Sequence, residues 1–202
     1  PGQAAGADLC DCPLYPPGVE EVLEGAKALI RRAQVPPYDV ARRRGEIKNV
    51  LVTASPDGEH VLRLVLRSEK ALDRVREHLP ALFAAHPSVV SVSANIHPEH
   101  TTAVEGDHEI PLAGAASIAV RTGDVTLFAR PRSFLQTHTE VAGLLYRQAA
   151  SWVAEIVAEQ GGAPRLWDLY CGLGGFALHA ALAAPTAQVT GVEVSPEAID
   201  GA

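Results

Sequence analysis

Residues 165–193 limit the possible fold of this chain more than any other stretch. Leu166-Trp167-Asp168-Leu169-Tyr170 reads as a buried strand, and it runs directly into Cys171-Gly172-Leu173-Gly174-Gly175-Phe176. Glycines at such a turn let the backbone approach a ligand that a Cβ would strike. The helix expected after Gly175 would point its unpaired N–H groups into the same space. A second strand, residues 188–194, carries Glu193 about twenty residues beyond the first glycine, where a carboxylate can accept both hydroxyls of a ribose. Strand, glycine-rich turn, helix and strand form a βαβ unit, so this end of the chain is of the α/β class.

The glycines alone leave two cofactor classes open. Gly172-Leu173-Gly174-Gly175-Phe176-Ala177 satisfies the G-x-G-x-x-A dinucleotide pattern, which would make the protein an NAD-dependent oxidoreductase. Asp168 argues for S-adenosylmethionine instead. Dinucleotide folds favour unbroken apolar residues in the strand before the turn, whereas methyltransferases use an acid there to organise the cofactor loop. The strand is also preceded by a long helix rather than opening its domain.

Upstream, residues 19–33 form an expected helix, with Val22, Leu23, Ala26, Leu29 and Ile30 at helical spacing. Residues 47–54 and 60–67 read as strands joined by the turn Ser55-Pro56-Asp57-Gly58. In the second of these, Leu62, Leu64 and Leu66 share a core face. Val61, Arg63, Val65 and Arg67 share the other, so the arginines are expected to face water or a partner. An amphipathic helix is predicted over 69–85 with a kink or restart at Pro80, then a strand over 89–96 and a hairpin turning at Glu105-Gly106-Asp107. Thr139 is placed to cap a helix running from Glu140 to about Gln160, ended by Gly161-Gly162. The pattern predicts a small α+β accessory domain over residues 1–132 and an α/β domain over 133–202.

Three cysteines in 202 residues do not describe a disulfide framework. No apolar run is long enough to span a bilayer and no secretory signal is evident, so a cytoplasmic protein without membrane partners is expected. The formal charge of −7 argues against a simple basic nucleic-acid binder. Between Arg31 and Arg76, however, eleven basic residues face six acids, a local excess of +5 (11 − 6). The sequence has no Met and breaks off where Ser195, Pro196 and Glu197 have just started a helix, so a fragment lacking both ends is expected.

Longer motifs carry a family resemblance. Phe134-Leu135-Gln136-Thr137 followed by a helix, and then Trp167 to Phe176, resemble the RNA uracil-C5 methyltransferases. Asp8-Leu9-Cys10-Asp11-Cys12-Pro13-Leu14-Tyr15-Pro16 and Tyr38-Asp39-Val40-Ala41-Arg42-Arg43-Arg44-Gly45-Glu46 resemble the bacterial branch that acts on 23S ribosomal RNA. The likeness runs the length of the chain. It implies a Rossmann-like class I S-adenosylmethionine domain, of which residues 133–202 would be the N-terminal part. It also implies that Gln136 and the aromatic Tyr170 contact S-adenosylmethionine, with Tyr170 standing where the family often has Phe. Glu193 would bind the ribose, with Asp168, Gly172 and Gly174 in the cofactor loop. By the same resemblance, Cys12 is the last of four cysteines that hold a [4Fe–4S] cluster, the other three lying further N-terminal. The chemistry implied is addition of a Cys thiolate to uracil C6, methylation at C5, removal of the C5 proton by a base and departure of the thiolate. The base must be splayed out of any helix to be reached. The nucleophile and the general base are expected beyond Ala202, so no catalytic residue is assigned within this chain. A monomer is expected.

Several tempting residues have plainer explanations. Cys171 lies in the cofactor loop and reads as a small packed thiol rather than a nucleophile. Cys10 reads as a bystander to Cys12. His97, His100 and His108 lack metal-ligand spacing and read as loop histidines. Arg42, Arg43 and Arg44 are equally consistent with a solvated charge run and with RNA phosphate contacts; Arg63 and Arg67 add to the second reading, and Arg130 and Arg132 are weaker candidates.

Overall fold

The structure is a computed structural model, and it describes residues 12–202. The chain divides into two compact units. Residues up to Ala54 together with Gly58–Gly114 form the first, and Ser55–Asp57 with Ala115–Ala202 form the second. Among the described residues no helix is long and apolar enough to cross a membrane.

The first unit is a four-stranded sheet with two helices on one face. Helix α1 (Val19–Arg32) leads into strands β1 (Ile47–Ala54) and β2 (His60–Leu66). A short 3₁₀ turn, Glu69–Ala71, then opens α2 (Leu72–Ala85), followed by β3 (Val89–Ile96) and β4 (His108–Gly114). The order is β1-β2-β3-β4; β1/β2 and β3/β4 are antiparallel. β2 and β3 are parallel, because α2 crosses between them. Leu62, Leu64 and Leu66 are fully buried against Val22, Leu29, Val75 and Leu79, as the alternation of β2 predicts. Pro80 sits inside a continuous α2 rather than restarting it, and the break falls instead at Ala71, where the 3₁₀ turn ends.

The other sheet face departs from expectation. Arg63 does not face water: it is 6% exposed. Its guanidinium donates to both carboxylate oxygens of Glu109 at 3.0 and 2.8 Å and reaches Glu105 at 2.7 Å. Ser93 and Asn95, whose strand lies beside β2, donate to the same Glu109 carboxylate at 2.5 and 2.9 Å. Asn95 also holds the segment between β3 and β4, accepting from the Gly106 N–H at 2.7 Å and donating to its carbonyl at 3.0 Å. Residues 97–107 are therefore a loop closing the β3/β4 pair, not a hairpin turning on Glu105-Gly106-Asp107. His97, read as a loop histidine, is 4% exposed and bonds Glu99 at 3.1 Å.

In the second unit a hairpin, β5 (Ile118–Thr122) and β6 (Val125–Ala129), precedes the long helix α3 (Thr139–Gln160). The sequence pattern assigns this hairpin to the domain ending at residue 132. Its contacts lie instead with elements further along the chain: Gly123 packs on Gly143 of α3, and the Phe128 N–H bonds Gly201 at 3.3 Å. The α3 cap is His138, which accepts from the Val141 N–H at 3.4 Å; Thr139 is the first helical residue. Gly161 ends the helix with φ +68°. β7 (Arg165–Leu169), α4 (Gly175–Ala183) and β8 (Gln188–Val192) form the expected βαβ unit with parallel strands, and α5 (Pro196–Ile199) is capped by Ser195. β7 is less buried than predicted. Trp167 and Leu169 are 59% and 61% exposed, because β7 and β8 pair with each other alone among the described residues and α3 and α4 leave one face open.

Candidate functional site

The carboxyl ends of β7 and β8 converge on the glycine-rich turn, the region where open α/β sheets collect ligands. Glu193, just past β8, joins the two strand ends. One carboxylate oxygen accepts from the Gly172 N–H at 2.9 Å, and the other from Val194 and Ser195 at 2.8 and 2.9 Å. These amides, Ser195 and Gly172 foremost, hold its carboxyl below the usual range. A carboxylate has about four acceptor sites, so one remains after three amides. Beside Gly172 nothing lies within 4 Å of where a Cβ would be. The turn therefore borders open space, with a fixed negative charge at its edge.

Asp168 enters from the strand. Its carboxylate accepts from the Ala177 N–H at 3.0 Å, tying the end of β7 to the first turn of α4. Burial pushes its carboxyl up from the usual range, and the Ala177 bond acts against that. Gly174 caps α4 at φ +81°, a left-handed conformation that a side chain disfavours. Tyr170 adopts φ +63° without that freedom, and its side chain is 86% exposed beside the turn. Strain at a non-glycine residue persists where surrounding bonds over-determine it. Here Cys171 N–H bonds Val192 at 3.1 Å and Gly174 N–H bonds Cys171 at 2.9 Å.

Asp168, Tyr170, Gly172, Gly174 and Glu193 thus come together. Gln136 lies exposed on the segment between β6 and α3, and the hydrogen bonds that join Asp168, Gly172 and Glu193 to the turn do not include it. Cys171 is half-buried, with its sulfur packed where a Gly191 Cβ would be. Burial, then the carboxylates of Asp168 and Glu193, push its thiol up, which suits a packing residue and not a nucleophile. Cys12 is a partly exposed free thiol in the first unit, and Cys10 lies outside the described residues. Among the described residues no group of three or more His, Cys, Asp or Glu side chains could hold a metal.

Two residues of this region carry no sequence signal strong enough to single them out. Tyr146 of α3 packs edge-on to Phe176, with ring centroids 4.6 Å apart, and lies against Gly175. His179, one turn after Gly175, is 2% exposed. Its spacing from Gly175 is the available signal, but nothing local says what its ring meets.

The basic stretch separates into different environments. Arg42, Arg43 and Arg44 are exposed, with Arg42 3.7 Å from Asp39. Arg67 turns inward to Glu46 at 3.3 Å and to the Arg43 carbonyl at 3.2 Å. A cleft of about 690 Å³ in the first unit, lined by Ile30, Val35, Pro36, Ile47 and Val50 among others, contains none of the residues at the turn.

No family model matches the chain. Curated proteins do. A 23S rRNA (uracil(747)-C(5))-methyltransferase of Pectobacterium carotovorum is 47% identical over 193 residues, 95% of this chain and 50% of that protein. Proteins of the same description from Halothiobacillus neapolitanus and Shewanella halifaxensis are 46% and 43% identical, over 98% and 95% of this chain. By sequence, the chain belongs to the RNA uracil-C5 methyltransferase family. It spans about half the length of these relatives. Among solved structures, a Pyrococcus abyssi tRNA (uracil-54, C5)-methyltransferase in complex with S-adenosyl-L-homocysteine superposes with a TM-score of 0.74 at 19% identity, covering 96% of this chain and 45% of that one. That likeness establishes the fold: an α+β unit followed by the start of a Rossmann-like domain.

Proposed function

We propose that this chain is part of an S-adenosylmethionine-dependent enzyme that methylates C5 of uracil 747 in 23S ribosomal RNA. The observation that carries the reading is identity of 43–47% to proteins of that description over 95% of this chain, which is about half of their length. The site geometry supports it. Glu193 is fixed at the edge of the open space beside Gly172, with acceptor capacity left for ribose hydroxyls. Asp168 and Gly174 set the first turn of α4, while Tyr170 is exposed beside the turn and Gln136 upstream of α3. S-adenosylmethionine, when bound, would supply the methyl group. This chain's residues would hold it: Glu193 the ribose, Gly172 and Gly174 the close backbone approach, and Gln136 and Tyr170 further contacts. Cys171 packs against Gly191, with its thiol pushed up by burial, as suits a packing residue; the attacking cysteine that the family resemblance implies would lie elsewhere in the longer protein. The 202-residue polypeptide alone should transfer no methyl group.

The longer protein would act as a monomer in the cytoplasm on ribosomal RNA. The first unit, up to Gly114, would serve as the accessory, RNA-facing part, and residues 133–202, together with the β5/β6 hairpin packed on them, as part of the cofactor domain. Cys12 would be one ligand of a [4Fe–4S] cluster there. The described residues do not make such a site by themselves, and a cluster would need further thiolates from outside them. Iron and sulfide analysis of the full-length protein, with and without Cys12→Ser, tests this.

Two measurements on the full-length protein decide the main reading. Labelled methyl transfer to a 23S rRNA fragment should appear at uridine 747, and its absence there would overturn the assignment. Calorimetry should show S-adenosylhomocysteine binding that Glu193→Ala weakens at least tenfold, about 1.4 kcal/mol. Tight NADH binding without any response to S-adenosylhomocysteine would instead establish a dinucleotide enzyme.

A further inference from the structure

The second unit buries a histidine that neither cofactor binding nor methyl transfer uses directly. The His179 ring is 2% exposed, and both of its nitrogens have backbone partners of opposite kind. Nδ1 lies 2.7 Å from the carbonyl oxygen of Gly175. Nε2 lies 3.2 Å from the backbone nitrogen of Asp124, in the turn of the β5/β6 hairpin. A carbonyl can only accept and an amide N–H can only donate, so these partners fix the tautomer: Nδ1 carries the proton and Nε2 is a bare acceptor. The other neutral tautomer would lose both bonds, and the imidazolium would set an N–H against the Asp124 N–H.

Both ends of this bridge are themselves anchored. Gly175 is the first residue of α4, directly after the left-handed Gly174, and Asp168 holds the same turn through Ala177. At the other end, the Asp124 side chain accepts two hydrogen bonds from Arg147 of α3, both at 2.8 Å. Neighbouring Gly123 packs against Gly143 of α3, and a Cβ there would lie 2.7 Å from His179 Nε2. The hairpin turn is thus seated on α3, and the His179 side chain carries a hydrogen-bonded link from that turn to the glycine-rich loop.

We propose that His179 is a positioning residue for the cofactor loop: its neutral ring fixes the first turn of α4 against the β5/β6 hairpin, and so sets the backbone that receives S-adenosylmethionine. This rests on the cofactor reading under Proposed function. Ligand geometry at a backbone site tolerates little displacement, so releasing the far end should weaken binding without removing any group that touches the ligand.

The test is calorimetric titration of the full-length protein with S-adenosylhomocysteine, together with thermal midpoints of the unliganded proteins. His179→Gln places a carboxamide oxygen where Nε2 lies and can still accept from Asp124. His179→Asn reaches only the local Gly175 carbonyl. Expected are affinity within about twofold of wild type for Gln and about tenfold weaker for Asn, with the two variants melting within a few degrees of each other. Equal affinity in wild type and Asn would overturn the proposal. So would equal losses in Gln and Asn that track their melting temperatures, since His179 would then be core packing alone. A wild-type protein that does not bind S-adenosylhomocysteine would overturn the cofactor reading itself and this proposal with it, an outcome distinct from the other two.

Discussion

Arg63 shows how far a single residue's role depends on its partners. On β2 it occupies the face opposite three buried leucines, where a solvated charge is the simple expectation. Glu109, Glu105, Ser93 and Asn95 make it the centre of a buried polar cluster instead. Burial opposes the charge on Glu109, but the bonds from Arg63, Ser93 and Asn95 outweigh it and hold that carboxyl below the usual range. A depressed carboxyl contributes stability that is present above its unfolded pKa and is lost as pH falls through the lower folded one. Acid should therefore loosen the first unit, and Glu109→Gln should flatten that part of the stability profile. Arg63→Met, which leaves two carboxylates without their cation, should cost about 3 kcal/mol in chemical denaturation, and adding Glu109→Met should recover much of it. An Arg63→Met variant as stable as wild type would mean that the cluster contributes nothing.

At the level of elements, the cofactor turn depends on how closely α3 approaches α4. A Cβ built on Gly175 would lie 2.5 Å from the Tyr146 ring. Burial, and then the nearby Asp168, push the Tyr146 hydroxyl up, in keeping with a neutral ring packed beside a carboxylate. Gly175→Ala should thus destabilise the second unit by about 1–3 kcal/mol through overpacking, although alanine is the better helix former. Combining it with Tyr146→Leu, which removes the atoms it would strike, should restore part of the loss. Thermal melts of the four proteins check both statements, and additive effects would show that the two residues do not meet. The structure departs from the local reading at three elements. The α3 cap is His138 rather than Thr139, residues 105–107 belong to a longer loop, and the hairpin 118–129 packs on α3 and the Gly201 segment. The cap is a local outcome, taken by the neighbouring His138 imidazole, whereas the loop and the hairpin were decided by contacts with residues elsewhere in the chain.

Over the whole molecule, the two units are built from different material. The large aliphatic core of Leu, Val and Ile belongs to the first unit. The second buries mostly small residues, including Ala142, Ala150, Ala177, Ala180 and Ala184, and leaves Leu144, Trp152, Ile156, Trp167 and Val194 more than half exposed. Buried apolar area sets most of a unit's stability, so the second should unfold first in the 202-residue polypeptide. The chain has two tryptophans, Trp152 and Trp167, both in that unit. Their fluorescence should change at lower urea concentration than the bulk of the far-ultraviolet circular dichroism signal. Coincident transitions would mean that the units unfold as one.

What the sequence determined by itself was whatever depends on neighbours along the chain. The leucine alternation of β2, the Ser195 cap, the glycine-rich turn and the distance from Gly172 to Glu193 come from period, φ and spacing, which short-range sterics set. Together they make the βαβ unit and its candidate site legible in the sequence alone. Family resemblance added the chemistry. Tertiary structure alone decided that Arg63 is buried, that Arg67 turns inward, that Gln136 stays outside the bonds of the turn, and that His179 meets Asp124 across 55 residues of sequence. The physical reason is that a polar side chain's fate depends on which donors and acceptors surround it once water has been removed, and those arrive from elsewhere in the chain.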